Sequence, residues 1–189
     1  RVRKRDVERI MNFLLLDPAL RPIADKVAAG QRISAADALV LYANRDLNGI
    51  GAIANVIRER RNGNVATYIH NRYVNYSNVC ILSCQFCAFG AKKREDHAFE
   101  LAGSEIIETV RGALGQGITE IHMVGGLHPT LPGEWYLDLL DGLRALDANL
   151  VIKAFTAVEI RHLADRIFKM PLRETLVLLR EHGLGAITG

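Results

Sequence analysis

From residue 65 onward, short runs of β-forming residues alternate with segments of helical period. This alternation limits the fold more than any other feature of the chain. Runs at 65–69 and 72–76 predict a first strand, and 118–124, 150–155 and the stretch from Ala186 onward predict three more. Between them, 104–115 reads as a helix, with Ser104 at its N-cap, Glu105 and Glu108 in its first turn, and Ile106, Ile107, Val110 and Leu114 on one face. A helix at 133–146 turns Leu137, Leu140, Leu143 and Leu146 inward, and helices at 157–168 and 171–182 are separated by Met170-Pro171. Strands alternating with helices mean an α/β fold with a parallel sheet. The pattern holds three complete strand–helix units and the start of a fourth, whereas a closed barrel of this kind has about eight. A four-strand arc leaves an edge open and a face uncovered. The expectation is therefore the N-terminal portion of a TIM-type (β/α) barrel, three to four units of it at 65–189. On this expectation the remaining strands are missing from this sequence, which begins at Arg1 rather than Met, or come from elsewhere.

Residues 1–64 read as a small helical segment. Val7, Ile10, Met11 and Leu14 give an amphipathic helix over 6–16, and a second helix at 22–29 ends at Gly30. Ser34 with Asp37 three residues on is a capping box for a third helix. A fourth at 46–61 ends in Arg58, Arg60 and Arg61; cations belong at a helix C-terminus, so this cluster reads as dipole and solvent rather than as a binding patch.

Composition excludes several classes. A net charge of +3 over 189 residues argues for neither nucleic acid nor an anionic membrane as partner. No apolar run approaches the roughly 18 residues of a membrane span. The run Phe13-Leu14-Leu15-Leu16 is stopped by Asp17-Pro18, so it is not a signal-peptide core. Reduced thiols without an export signal point to the cytoplasm.

All three cysteines, Cys80, Cys84 and Cys87, fall in one loop after the first expected strand. An odd, sparse set cannot be a disulfide scaffold. Structural zinc asks for a fourth ligand, and His97, the nearest, makes no familiar zinc spacing. Buried structural cysteines would explain one of them but not three at these intervals. Three soft ligands suit an iron–sulfur cluster that keeps one iron open to a small molecule.

In α/β barrels the catalytic groups lie in loops after the C-terminal ends of strands. Gly125-Gly126-Leu127-His128-Pro129 follow the second expected strand and 154–159, ending at Glu159, follow the third. Glycines there let backbone come close to a ligand. His128 is either a proton donor beside the site or a turn histidine satisfied by backbone. Glu159 is either a catalytic carboxylate or a helix-start carboxylate. Alternation leaves open whether Lys153 and Phe155 or Ala154 and Thr156 face inward. Lys92-Lys93-Arg94 read as a solvated loop, with neutralisation of an anionic substrate as the alternative.

The Cys-x-x-x-Cys-x-x-Cys spacing, with Phe86 before the last cysteine, resembles the radical S-adenosylmethionine (SAM) superfamily. Three longer strings narrow the resemblance to the aminodeoxyfutalosine synthase family: 75–90 around the cysteines, 122–129 (His-Met-Val-Gly-Gly-Leu-His-Pro) and 152–160 (Ile-Lys-Ala-Phe-Thr-Ala-Val-Glu-Ile). The resemblance implies a 4Fe–4S cluster on Cys80, Cys84 and Cys87, with SAM as co-substrate. It places the SAM amino group at Gly125 and Gly126 and Phe86 toward the adenine. Where relatives more often have Gly-Gly-Glu, this chain has Gly-Gly-Leu. The implied reaction adds the 5′-deoxyadenosyl radical to the enol-ether double bond of 3-[(1-carboxyvinyl)oxy]benzoate, giving 6-amino-6-deoxyfutalosine for menaquinone biosynthesis. An electron donor such as flavodoxin or ferredoxin is implied as partner. The alternatives are the related dehypoxanthine futalosine cyclase or, outside this class, a non-catalytic iron–sulfur or zinc module.

Overall fold

The computed structural model describes residues 17–188, so the helix expected over 6–16 lies outside the described residues. The chain divides into two compact units, Arg1–Thr67 and Tyr68–Gly189.

In the first unit a 3-10 turn at Pro18–Leu20 leads into α1 (Arg21–Ala28), α2 (Ala35–Ala43) and α3 (Leu47–Asn62). Leu20, Ala24, Val27, Ile53 and Val56 form its core. The capping box at α2 is present: Asp37 N–H donates to Ser34 Oγ at 3.2 Å, and Ser34 N–H to Asp37 Oδ2 at 2.8 Å. Hydrogen bonding from Lys26 is the largest influence holding the Asp37 carboxyl down at about 2. The basic turn of α3 has a more specific task than solvation. Arg60 donates to the carbonyls of Val27 and Ala28 at the end of α1, and Arg58 to the Gly63 carbonyl at the end of α3. Helix ends leave such carbonyls unpaired, and cations complement the dipole there.

The second unit runs β1 (Asn71–Tyr73), α4 (Gly103–Leu114), β2 (Glu120–Met123), α5 (Gly133–Arg144), β3 (Val151–Thr156), α6 (Ala157–His162), α7 (Leu172–Glu181) and β4 (Leu184–Thr188). A π-helical turn, Leu163–Phe168, continues α6. The four strands form one parallel sheet in the order β1-β2-β3-β4. This is the α/β fold with a parallel sheet that the alternation predicts. Ile106 and Val110 of α4, Leu139, Leu140 and Leu143 of α5, and Ile121, Met123 and Ile152 of the sheet are buried together. Each such side chain contributes about 1.5–3 kcal/mol on burial.

Three expectations are corrected. Residues 65–69 are not strand: the register pairs Asn71 with Glu120 at the start of β2, so residues before His70 meet no partner strand, and Val65, Tyr68 and Ile69 stay exposed. Helix α4 is capped by Ala102 rather than Ser104; Glu105 Oε2 reaches back to the Ala102 N–H at 2.7 Å. Strand β4 begins at Leu184, two residues earlier than expected, because Leu184 already pairs with Ile152. At the β4 edge, Leu172, Leu176 and Val177 of α7 and residues 184–187 line an open groove of about 630 Å³.

Candidate functional site

The C-terminal ends of β1, β2 and β3 meet at one buried carboxylate. Glu159, in the first turn of α6, is 2% exposed. Its Oε1 accepts from the Gly125 N–H and from the Tyr76 hydroxyl, both at 2.8 Å, and its Oε2 accepts from the Thr156 N–H at 2.7 Å. Thr156 Oγ1 accepts from the Glu159 N–H at 3.2 Å, which completes a capping box. One side chain therefore joins the chain segments after three successive strands. Burial pushes the Glu159 carboxyl up from its ordinary value of 4.5, and these hydrogen bonds offset part of the rise. Burial also pushes the Tyr76 hydroxyl up, and the Glu159 charge adds to it.

The expected alternation along β3 breaks at Phe155, whose φ of 65° lies in the left-handed region. Ala154 and Phe155 are consequently both buried, and the pairing to β4 shifts register between Lys153 and Thr156. A bulky residue held at positive φ is strained, and such strain collects at functional sites. Its ring packs edge-on to Tyr76 and Tyr136, with centroids 6.2 and 6.0 Å away.

The glycine pair after β2 is required by the protein's own packing. A Cβ on Gly125 would fall 2.2 Å from Tyr76 Cζ, and one on Gly126 would fall 2.2 Å from the Val79 carbonyl oxygen and 2.9 Å from Cys80 Cβ. Both amides are engaged, Gly125 N–H with Glu159 and Gly126 N–H with the Ser77 carbonyl at 2.9 Å. The Gly126 carbonyl also accepts from the Tyr76 hydroxyl, at 3.3 Å.

The cysteine loop lies directly beside the pair. Ile81 N–H donates to the Leu127 carbonyl at 3.0 Å, and Leu127 N–H donates to Cys80 Sγ at 3.3 Å. Leu82 N–H also reaches Cys80 Sγ at 3.4 Å, and Gly90 N–H reaches Cys87 Sγ at 3.3 Å. Cys80 is half-buried, Cys84 and Cys87 are exposed, and all three are free thiols. Among the described residues the three sulfurs do not form a group that could hold a metal ion. The donor set nonetheless suits an iron–sulfur cluster: three soft ligands in one accessible loop, with backbone N–H groups already turned to two of the sulfurs. Phe86 is 92% exposed at the outside of this loop.

His128 has the partners expected of a turn histidine. It is 1% exposed, and its Nδ1 accepts from the Thr130 and Leu131 amides at 3.2 and 3.0 Å. The ring proton therefore sits on Nε2, which donates to Glu100. That bond is the main cause holding the Glu100 carboxyl below its ordinary value. Lys92 is not a free loop cation either, since its ammonium folds back onto three carbonyls of the cysteine loop. Tyr76, Glu100 and the clamp by Lys92 escaped the sequence reading. Tyr76 lies just past β1 and carried the only signal, an aromatic at the end of a strand-forming run.

Fold and site together define a class. The chain has an α/β fold with a parallel sheet that matches about half of a radical SAM (β/α) barrel enzyme, and it carries three cysteines in the loop after the first strand. In structure it is similar to methylornithine synthase, with a TM-score of 0.61 and 20% identity over 87% of this chain and 45% of that one. In sequence it is similar to the aminodeoxyfutalosine synthase of Thermus thermophilus, at 40% identity over 173 residues, which is 92% of this chain and 46% of the relative. The Streptomyces coelicolor aminodeoxyfutalosine synthase is 37% identical over 89% of this chain and 43% of its own length. The cyclic dehypoxanthine futalosine synthase of the same organism is 35% identical over 90% of this chain and 43% of its own length. The chain thus spans about half the length of the curated relatives it matches, and the resemblance read from the three strings extends over nearly all of it. No family model matches the chain. Among the described residues no helix is long and apolar enough to cross a membrane.

Proposed function

We propose that this chain carries the cluster- and SAM-binding half of a radical SAM transferase, an aminodeoxyfutalosine synthase acting in menaquinone biosynthesis in the cytoplasm. The observation that carries the reading is the contact between the cysteine loop and the Gly125-Gly126 turn, at the C-terminal ends of the strands, where this fold does its chemistry. The 40% identity to an aminodeoxyfutalosine synthase, against 35% to the cyclic dehypoxanthine relative, favours the synthase. Cys80, Cys84 and Cys87 would hold a 4Fe–4S cluster, which when bound would supply the reducing electron for SAM cleavage. Leu82, Leu127 and Gly90 amides donate to the ligating sulfurs.

Backbone carbonyls at Gly125 and Gly126 accept from the SAM ammonium, and Phe86 covers the adenine. Glu159 and His128 are positioning residues, because each is buried and bonded within the protein. The reaction breaks the sulfur–methylene bond of SAM, releasing methionine, and joins the adenosyl methylene carbon to the alkene of 3-[(1-carboxyvinyl)oxy]benzoate; the aryl group then migrates from oxygen to carbon, and the carboxylate leaves as CO2 with return of the electron. Its rate depends on near-attack placement of that alkene and on exclusion of water. A flavodoxin or ferredoxin supplies the electron.

Anaerobic reconstitution with iron and sulfide tests the cluster. The chain should gain the broad visible absorption of thiolate-bound iron, and Cys84→Ala should lose it; iron content indifferent to that substitution would sink the reading. Product analysis of the full-length enzyme separates the synthase, which yields a covalent adenosyl adduct, from the cyclase, which releases free 5′-deoxyadenosine.

A further inference from the structure

We infer that Lys92 is a positioning residue for the cysteine loop, fixing the peptide plane that aims the Leu82 N–H at the Cys80 sulfur. The inference rests on the cluster reading above. Lys92 Nζ donates to the carbonyl oxygens of Cys80 and Ile81, both at 3.1 Å, and of Leu82 at 2.7 Å. An ammonium has three donors, and all three go to successive carbonyls of one segment. Carbonyls drawn together in this way repel one another unless a cation sits between them.

Orientation of the sulfur contacts follows. In a trans peptide the C=O and N–H point in opposite directions. Drawing the Ile81 carbonyl onto the ammonium turns the Leu82 N–H the other way, where it donates to Cys80 Sγ at 3.4 Å. The base of Lys92 is itself pinned. Cys80 N–H donates to the Ala91 carbonyl at 2.9 Å, Ala91 N–H to the Asn78 carbonyl at 2.8 Å, and Lys92 N–H to Glu95 Oε2 at 2.9 Å. The clamp is therefore a side chain from the segment after the loop, holding residues 80–82 in one conformation.

Hydrogen bonds to sulfur and nearby positive charge both set the reduction potential of an iron–sulfur cluster. Lys92 contributes to both. Methionine at this position keeps most of the stem and removes the charge and donors. Arginine keeps the charge, but its planar fork fits three converging carbonyls poorly.

The test compares the full chain with Lys92→Met and Lys92→Arg. Amide hydrogen exchange over 80–87 is read without metal, and the cluster potential after anaerobic reconstitution with iron and sulfide. Lys92→Met should speed exchange at 80–87 about tenfold, as expected for losing a charge-assisted bond, leave exchange elsewhere unchanged, and shift the potential negative. Lys92→Arg should speed exchange less and hold the potential nearer the parent. A Lys92→Met chain that loses its cluster while only 80–87 exchanges faster also supports the role. Parent-like exchange and potential in Lys92→Met would overturn it, as would faster exchange throughout the chain. If the parent chain itself takes up no cluster, the reading on which the inference rests fails with it.

Discussion

The Gly125 amide donates to the Glu159 carboxylate at 2.8 Å, and so ties the turn after β2 to the first turn of α6. Tyr76, from the segment after β1, donates to the same oxygen. The glycine turn is thereby tied to Glu159, which Tyr76 holds in turn. Precision at the C-terminal ends of the strands comes from a buried, fully bonded carboxylate rather than from the loop itself.

Replacing Glu159 with glutamine should destabilise the chain by about 1–3 kcal/mol, since the amide offers one acceptor where three donors converge. Urea unfolding measures this. The pH profile gives an independent check. Because burial raises the Glu159 carboxyl above its ordinary value, its contribution is fully present below pH 4.5 or so and is lost as pH rises through the raised value. Glu159→Gln should flatten the loss of stability over that window. An identical pH profile in the two proteins would contradict the buried-carboxylate account.

Gly126→Ala should cost about 1–3 kcal/mol as an overpacked contact, because the Val79 carbonyl 2.2 Å away is backbone and cannot turn aside. It should also lower iron uptake, since the new methyl presses on Cys80. Gly112→Ala is the control: it lies in α4 with nothing within 4 Å of the added methyl, and should stabilise by about 0.5–1 kcal/mol. Denaturant midpoints and iron content of the two variants decide the matter.

What could be read from the sequence follows from what each signal depends on. Helical period and strand-forming runs are local, so the alternation at 104–188 and the parallel sheet were legible. The start of β1 was not, because strand limits are set by the partner's register, here Asn71 against Glu120. Cysteine spacing was legible because all three donors come from one segment. The Glu159 hub was not, because it is assembled by Tyr76, Gly125 and Thr156 from three separate loops. Gly125 and Gly126 are expected from the sequence to let backbone come close to a ligand; the close neighbours in the structure are Tyr76 and Val79. Phe155 carried no signal, since nothing local announces a positive φ at a phenylalanine.

His128→Leu should destabilise by about 2–3 kcal/mol, because it strands the Thr130 and Leu131 amides that its Nδ1 receives. His128→Asn keeps an acceptor near that position and should cost less. If His128 were instead a free proton donor in the site, both substitutions would leave unfolding unchanged. The Glu100 carboxyl adds an acid-side signature. Its hydrogen bond from His128 holds it below 4.5, so its contribution is present above that pH and lost as pH falls through the lowered value. Glu100→Gln should remove that part of the acid loss in an equilibrium titration.

Without a cluster, Cys84 and Cys87 should be close to neutral for folding, since both are exposed. Alanine at either should move stability by no more than about 0.5 kcal/mol. Cys80→Ala should cost more, about 1 kcal/mol, because the half-buried sulfur takes the Leu82 and Leu127 amides. Once iron and sulfide are added the ranking should change. A group that binds only the folded chain raises its stability by mass action, so the parent chain should melt at higher temperature while all three single variants should not. Paired anaerobic melts with and without reconstitution read this directly. A parent chain that gains no thermal stability on taking up iron would show that the metal is held without the ordered three-cysteine loop.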